Sequence, residues 1–130
     1  QHGIALRMEY MQFFPGSHAN LPAIADFLAN LDPQIKYRAV IAADDNLAIG
    51  AIKYAHKKGL SIPDDLSVVG YNNSILSTCC EPELTSVDNK LETLCHHIVS
   101  TLIGILDNRD MPQEVIFSGE LIKRGTTLQK

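Results

Sequence analysis

The chain has 130 residues, of which 45% are hydrophobic and 20% are charged, an ordinary composition for a globular domain with its own core. Its formal net charge of -4 argues against a nucleic-acid-binding face, which needs clustered Lys and Arg. No apolar run approaches the roughly 20 residues of a membrane span. The three cysteines form no disulfide framework, so we expect a reducing, cytoplasmic compartment.

The first third of the chain predicts a strand, a loop and a helix. Apolar residues alternate over Ile4–Met11, as in a strand, and recur at helical spacing from Leu21 to Leu31. The loop between them carries two aromatic residues, Phe13 and Phe14. Because the chain opens with what resembles the tail of a helix that stops at Gly3, we expect it to be part of a longer protein.

The centre of the chain predicts a parallel crossover unit. The apolar run Ala39–Ala43 is typical of a strand buried on both faces. Helical spacing follows from Leu47 until Gly59, a natural left-handed stop, and a second apolar strand is expected at Leu66–Gly70. A strand, a helix and a strand within about 30 residues have the size of one βαβ unit.

Small polar side chains follow both of these strands. Asp44 and Asp45 come after the first, and Asn72 and Asn73 come after the second. In open α/β sheets the ligand crevice lies outside the carboxyl ends of the strands, so these residues should stand side by side there. Carboxylates and amides can hydrogen-bond a polyhydroxyl ligand, but an aspartate can also cap the helix and an asparagine pair can form a turn.

The last third predicts a further strand, a long helix and two short β-like segments. A strand is expected at Leu84–Val87, and Asp88 can cap the helix that follows. The β-like segments are Glu114–Ser118 and Glu120–Arg124, which complete an alternating α/β pattern. The helix carries an apolar stripe of Leu91, Leu94, Cys95, Ile98, Leu102 and Ile105.

Four motifs in this order, AADDNLAIGA, GLSIPDDLSVVGYNN, PELTSVDN and ELIKRGTT, resemble the C-terminal part of the effector-binding core of LacI/GalR-type transcriptional regulators. That core has the fold of periplasmic sugar-binding proteins. The resemblance implies a three-layer α/β half-domain with a mostly parallel sheet, and a segment from about residue 86 to residue 118 that crosses to a second subdomain. It also implies a DNA-binding head outside this chain.

The resemblance implies a sugar-like effector and names the residues that contact it. Asp44 and Asn72 match frequent ligand contacts of the family, in which the aspartate and asparagine are often exchanged. Asn73 accompanies Asn72, and an aromatic residue from the Phe13–Phe14 loop can stack on a sugar, although these rings can equally pack in the core. We expect Asp45, in contrast, to cap the helix.

The resemblance also implies a homodimer whose contact includes the helix Leu47–His56 and the loop after the second strand. The interface candidates are Ile49, Ile52, Leu76 and Cys80, with simple core or surface packing as the alternative. The apolar stripe of the long helix would lose its usual partner in this chain. We expect that helix to fold back on the sheet or to pack against a second copy of the chain.

No metal, cofactor or enzyme function is expected. Adjacent cysteines (Cys79 and Cys80) and adjacent histidines (His96 and His97) point in different directions, and no Cys-x-x-Cys motif occurs. The chain has no nucleophile elbow and no phosphate-cradling glycine loop. The alternatives to a regulator are a periplasmic or secreted sugar-binding protein of the same fold, a sensor fused to a kinase or cyclase domain, and a stand-alone enzyme.

Overall fold

The computed structural model describes Met8, Met11, residues 21–31 and residues 37–128. Most of the predicted strand Ile4–Met11 lies outside the described residues, as do the predicted ligand residues Phe13 and Phe14. In chain order the elements are α1 (Leu21–Asn30), β1 (Ala39–Ile41), α2 (Asp45–Lys58), β2 (Ser67–Tyr71), a 3-10 helix (Ile75–Thr78), β3 (Thr85–Asp88), α3 (Leu91–Leu106) and β4 (Glu120–Ile122).

The four strands form one mixed sheet in the order β1-β2-β3-β4. β1 pairs with β2 and β2 pairs with β3 in parallel, whereas β4 runs antiparallel to β3. This confirms the predicted α/β class with a mostly parallel sheet. The parallel strands bring their carboxyl ends to one edge, where the predicted ligand residues follow them.

Helix α2 covers the sheet through a face of small residues. Ala48, Ala51 and Ala55 are fully buried, and because their side chains are small the helix backbone lies close to β2. The helix ends at Gly59, whose φ of 70° is the left-handed conformation predicted for its stop. Ile52 is only 3% exposed and belongs to the core, which corrects its prediction as a dimer-interface residue, because it has almost no surface to offer a partner.

The core lies between α2 and the sheet, with α1 packed on α2. Its buried members are Ile24, Leu28, Ala42, Ala48, Ala51, Ile52, Ala55, Leu66, Val68 and Leu84. The prediction that Ala39–Ala43 is buried on both faces is wrong in this structure: Ala42 is buried, but Ile41 is 85% exposed.

Helix α3 extends away from the sheet. Its apolar stripe faces solvent, with Leu91, Ile98 and Ile105 each more than half exposed, and Cys95 is exposed as well. The segment that follows α3 packs against it. Met111 lies against Gly104, and the centre of the Phe117 ring lies 5.4 Å from the centre of the His97 ring. The prediction that this helix folds back on the sheet is therefore wrong, and packing against a second copy stays a prediction.

The chain after α3 is irregular up to β4, so the prediction of a strand at Glu114–Ser118 is wrong in this structure, whereas the segment from Glu120 is confirmed in β4. Among the helices of the described residues, none combines the length and the apolar character that crossing a membrane requires.

Candidate ligand-binding site

The register of the sheet brings the two predicted ligand residues to the same edge. Ile41 of β1 pairs with Val69 of β2, and Asp44 and Asn72 each follow three residues after one member of this pair. The backbone N–H of Ala42 still donates to the Val69 carbonyl at 2.8 Å, so the two strands stay paired close to their ends. Asp44 and Asn72 therefore follow neighbouring strands at the carboxyl edge.

Asp44, not Asp45, caps helix α2. Its backbone is extended (φ -152°, ψ 168°), and its Oδ1 accepts a hydrogen bond from the Leu47 backbone N–H at 2.8 Å. The capping prediction for Asp45 is thus wrong by one residue. Asp44 is 6% exposed, and because a carboxylate offers about four lone-pair sites, capping is compatible with its predicted ligand contact.

Asp45 is buried and ties three segments together. Its Oδ2 accepts from the Ser74 backbone N–H at 2.6 Å and from Ser74 Oγ at 2.8 Å, and its Oδ1 accepts from Ser86 Oγ at 2.6 Å. With 2% exposure, this carboxylate depends on those bonds and on the amino end of α2 to offset its loss of hydration. Sequence reasoning missed this role.

Asn72 and Asn73 form the turn that follows β2. Both have positive φ, 95° and 46°, a conformation that asparagine tolerates better than most residues. The backbone N–H of Asn72 donates to the Val87 carbonyl at 2.9 Å, and that of Asn73 donates to Ser86 Oγ at 3.0 Å. The turn considered from the sequence is thus present, and it sits directly on β3.

The side chain of Asn73 is bound within the protein. Its Oδ1 accepts from Arg124 Nη2 at 2.7 Å and from Ser77 Oγ at 3.3 Å, and its Nδ2 donates to Asp88 Oδ2 at 3.3 Å. Its ligand contact stays a prediction, but these bonds give the amide a structural role that the sequence did not indicate.

The segment after β4 contacts the turn after β2 and the amino ends of β2 and β3. Arg124 donates from Nη1 to the Leu84 carbonyl at 2.8 Å as well as to Asn73. Thr126 is fully buried, where its Oγ1 donates to the Val68 carbonyl at 2.7 Å and accepts from the Thr85 backbone N–H at 2.8 Å. The ELIKRGTT motif therefore holds β2 and β3 together behind the site.

An open cleft of about 940 Å³ lies between the Asn72–Asn73 turn and the start of α3. Asn72 is exposed beside it, and its Oδ1 accepts from Asn89 Nδ2 at 3.0 Å. Lys90 forms an ion pair with Glu120, and the hydrogen bond to that carboxylate raises the pKa of Lys90. The lining of the cleft combines polar side chains of the turn with Leu91 and Cys95 of α3, and Asp44 does not line it.

The remaining dimer candidates lie in different surroundings. Leu76 lies in the 3-10 helix and is 36% exposed, next to Ile75, which is 76% exposed and which sequence reasoning missed. Ile49 is half-buried. Cys80 packs against the core, and burial raises the pKa of its thiol, which favours the protonated form. Within residues 21–31 and 37–128, no three His, Cys, Asp or Glu side chains group as metal ligands would.

The chain matches the family model of the periplasmic binding protein-like domain over residues 3–127. It belongs to the periplasmic binding protein-like domain family. An HTH-type transcriptional regulator of Lachnoclostridium phytofermentans is 46% identical over 127 residues, which are 97% of this chain and 37% of the relative.

Two solved structures are also similar to this periplasmic binding protein-like chain. A sugar-binding transcriptional regulator of the LacI family from Escherichia coli, complexed with phosphate, is 30% identical with a TM-score of 0.82, and the match covers 98% of this chain and 45% of that one. The lac repressor dimer bound to operator and an anti-inducer is 28% identical with a TM-score of 0.74, with coverage of 84% and 37%. The resemblance to LacI/GalR-type regulators is confirmed, and the chain spans less than half the length of each of these three relatives.

Because Gly70 has no side chain, the carboxylate of Asp45 can lie against its backbone. A Cβ at Gly70 would collide with Asp45 Oδ1 and lie 2.8 Å from Leu84 Cδ2. We expect Gly70→Ala to lower the free energy of unfolding by about 1–3 kcal/mol, measured by urea denaturation, because both neighbours are buried.

Gly104→Ala is the matched control. Its Cβ would meet only the flexible side chain of Met111, and alanine is favoured over glycine inside a helix by up to about 1 kcal/mol. We therefore expect Gly104→Ala to be neutral or stabilising. If both substitutions lowered the free energy of unfolding equally, the contact of Gly70 with Asp45 and Leu84 would not be the cause.

Proposed function

We propose that this chain is the ligand-sensing and dimerising part of a LacI/GalR-type transcriptional regulator whose effector is a sugar or a sugar-like molecule. The observation that carries the proposal is the exposed side chain of Asn72, which a left-handed turn holds beside an open cleft. The relatives support it, because two of them are named as transcriptional regulators and one of these as sugar-binding. In this proposal DNA is bound by a domain outside this chain, in the cytoplasm.

The chemistry of the edge fits a polyhydroxyl ligand. An amide both donates and accepts and a carboxylate accepts, so Asn72 and Asp44 together can bind hydroxyl groups in two senses. Phe13 and Phe14 belong to the same proposal as rings that stack on the sugar. Since the cleft is open, we expect the chain alone to bind effector weakly and the complete protein to bind it well.

We propose no catalysis for this chain and no resident cofactor. Its relatives act as regulators, and the polar groups of the cleft suit ligand binding. A periplasmic sugar-binding protein of the same fold is the second candidate. The regulator is favoured because the relative that is 46% identical is an HTH-type transcriptional regulator. The terminal motif ELIKRGTT also resembles regulators more than periplasmic binding proteins.

The effector proposal predicts the outcome of a thermal-shift screen. The full-length protein is mixed with free hexoses, pentoses, disaccharides that include cellobiose, and sugar phosphates. A sugar that binds the folded state raises the melting temperature. We expect Asn72→Ala and Asp44→Ser to remove most of that shift, since each deletes a polar group that we propose to contact the ligand, while the serine hydroxyl of the second variant still caps the helix.

Asp64→Ala is the control, because Asp64 is an exposed aspartate before β2, at the opposite end of the same strand. It should leave the shift unchanged. A shift that survives both Asn72→Ala and Asp44→Ser would move the effector to another site, and no shift from any sugar in the panel would contradict a sugar effector.

We also propose that the segment from about residue 86 to residue 118 belongs to a second subdomain in the complete protein. The support is the exposed apolar face of α3, which no strand or helix of the described residues covers. Covering it in the complete protein would slow the exchange of its backbone amides. We expect α3 amides to be protected at least tenfold more in the full-length protein than in the 130-residue chain, measured by hydrogen exchange.

Helix α2 is the internal control for this comparison, because it is already packed here and should be protected in both proteins. Equal protection of α3 in the two proteins would contradict the second subdomain. Protection of α3 in the 130-residue chain that depends on its concentration would instead indicate packing against a second copy.

We propose further that the complete protein is a homodimer whose contact includes Ile49, Leu76 and Cys80, with Ile75 added because it is exposed beside Leu76. The lac repressor dimer supports this part of the proposal. A lysine in an apolar contact must be desolvated, so we expect Leu76→Lys to convert the full-length dimer to a monomer in sedimentation velocity. Leu128→Lys, at another exposed leucine, should stay dimeric, and an intact Leu76→Lys dimer would exclude this surface.

A further inference from the structure

Asp45 is a buried carboxylate that the ligand chemistry leaves unused. Among the described residues only Asp44 and Asp45 are charged side chains buried in the fold. At 2% exposure Asp45 has no surface to offer an effector, yet it accepts three short hydrogen bonds from Ser74 and Ser86. Apolar packing would fill the same volume without the cost of desolvating a charge, so these bonds point to a positional role.

The bonds of Asp45 converge on the turn that carries Asn72. Ser74 follows the turn directly, and both its backbone N–H and its hydroxyl donate to Asp45. Ser86 lies on β3, donates to Asp45, and accepts from the backbone N–H of Asn73. Asp45 is thus linked to Asn73 from the following residue and from the neighbouring strand.

The turn needs such a hold because two consecutive non-glycine residues have positive φ there. Backbone in this region persists only where surrounding contacts determine it. Arg124 and Asp88 hold the side chain of Asn73, whereas Asp45 acts on its backbone through Ser86 and on the exit of the turn through Ser74. Loss of the carboxylate should therefore loosen the turn without unfolding the sheet.

We propose that Asp45 is the positioning residue of the effector site: through Ser74 and Ser86 it fixes the turn that points Asn72 into the cleft. This inference rests on the proposed function, in which Asn72 contacts the effector. The carboxylate is required because both of its oxygens accept. An asparagine at this position has one acceptor oxygen. Its NH₂ group would face either the Ser74 backbone N–H, which cannot accept, or the Ser86 hydroxyl, which already accepts from Asn73.

The first test needs no ligand. In the full-length protein, Asp45→Asn should accelerate hydrogen exchange of the Asn73 and Ser74 amides at least tenfold, while that of Val68 in β2 stays within twofold of the unsubstituted protein. Asp65→Asn is the matched control. Asp65 also accepts a hydrogen bond from a backbone N–H, that of Ser61 at 2.8 Å, but it lies in the exposed turn before β2. It should change none of these three exchange rates.

The second test is a double-mutant cycle of affinity, measured calorimetrically with the sugar that gives the largest thermal shift in the panel above. We expect Asp45→Asn to weaken binding about tenfold or more. In the Asn72→Ala background, the same substitution should weaken it less than twofold further, because its effect passes through Asn72. A role in general stability would move affinity equally in both backgrounds.

The outcomes separate the two proposals. Additive losses, or exchange that accelerates equally at Val68, would overturn the positioning role of Asp45. Full affinity in Asn72→Ala would overturn the proposed ligand contact, while local acceleration at Asn73 would still show that Asp45 holds the turn. If Asp45→Asn fails to fold, Ser86→Ala removes the same link to the Asn73 backbone and is held to the same two results.

Discussion

Three hydrogen bonds to the carboxylate of Asp45 hold together the parts from which the candidate site is built. They join the start of α2, the loop after β2 and the strand β3, which lie up to 41 residues apart in sequence. The carboxylate is stable in the interior because every bond it accepts replaces one lost to water, and because it lies at the amino end of a helix. Gly70 leaves the space for it.

The two adjacent aspartates divide two tasks between them. Asp44 starts the helix and remains at the edge of the sheet, and Asp45 turns inward to fix the neighbouring loop. From the segment after β4, Arg124 binds Asn73 in the turn and Thr126 binds Val68 in β2. The turn that carries the exposed Asn72 is therefore held by hydrogen bonds from several segments. Such preorganisation lowers the entropy cost of binding a ligand.

The sequence predicted the elements whose signals are local. Helical spacing and Gly59 marked α2, and the asparagine pair marked the turn after β2. Which of two adjacent aspartates caps the helix could not be read from a periodic pattern, because both lie at its amino end. The contacts of Ser74, Ser86 and Arg124 with the site span 29 to 51 residues, and no spacing rule encodes partners so distant.

Two further predictions failed for a related reason. Periodicity shows that one face of a helix is apolar, but not what covers it. Ile52 was a candidate for the dimer contact, with core packing as the alternative, and it lies in the core of its own chain. The stripe of α3 was expected on the sheet or against a second copy, and in the single chain it is exposed. The tertiary packing of each helix, which a periodic pattern does not contain, decides between such alternatives.

The most direct measurement is a crystal structure of the full-length protein with the sugar selected by thermal shift. We predict that the amide of Asn72 lies at hydrogen-bonding distance from a ligand hydroxyl, about 2.7–3.2 Å, with the bonds from Ser74 and Ser86 to Asp45 intact. An ordered sugar that contacts Asn72 neither directly nor through a water molecule would contradict the proposed site.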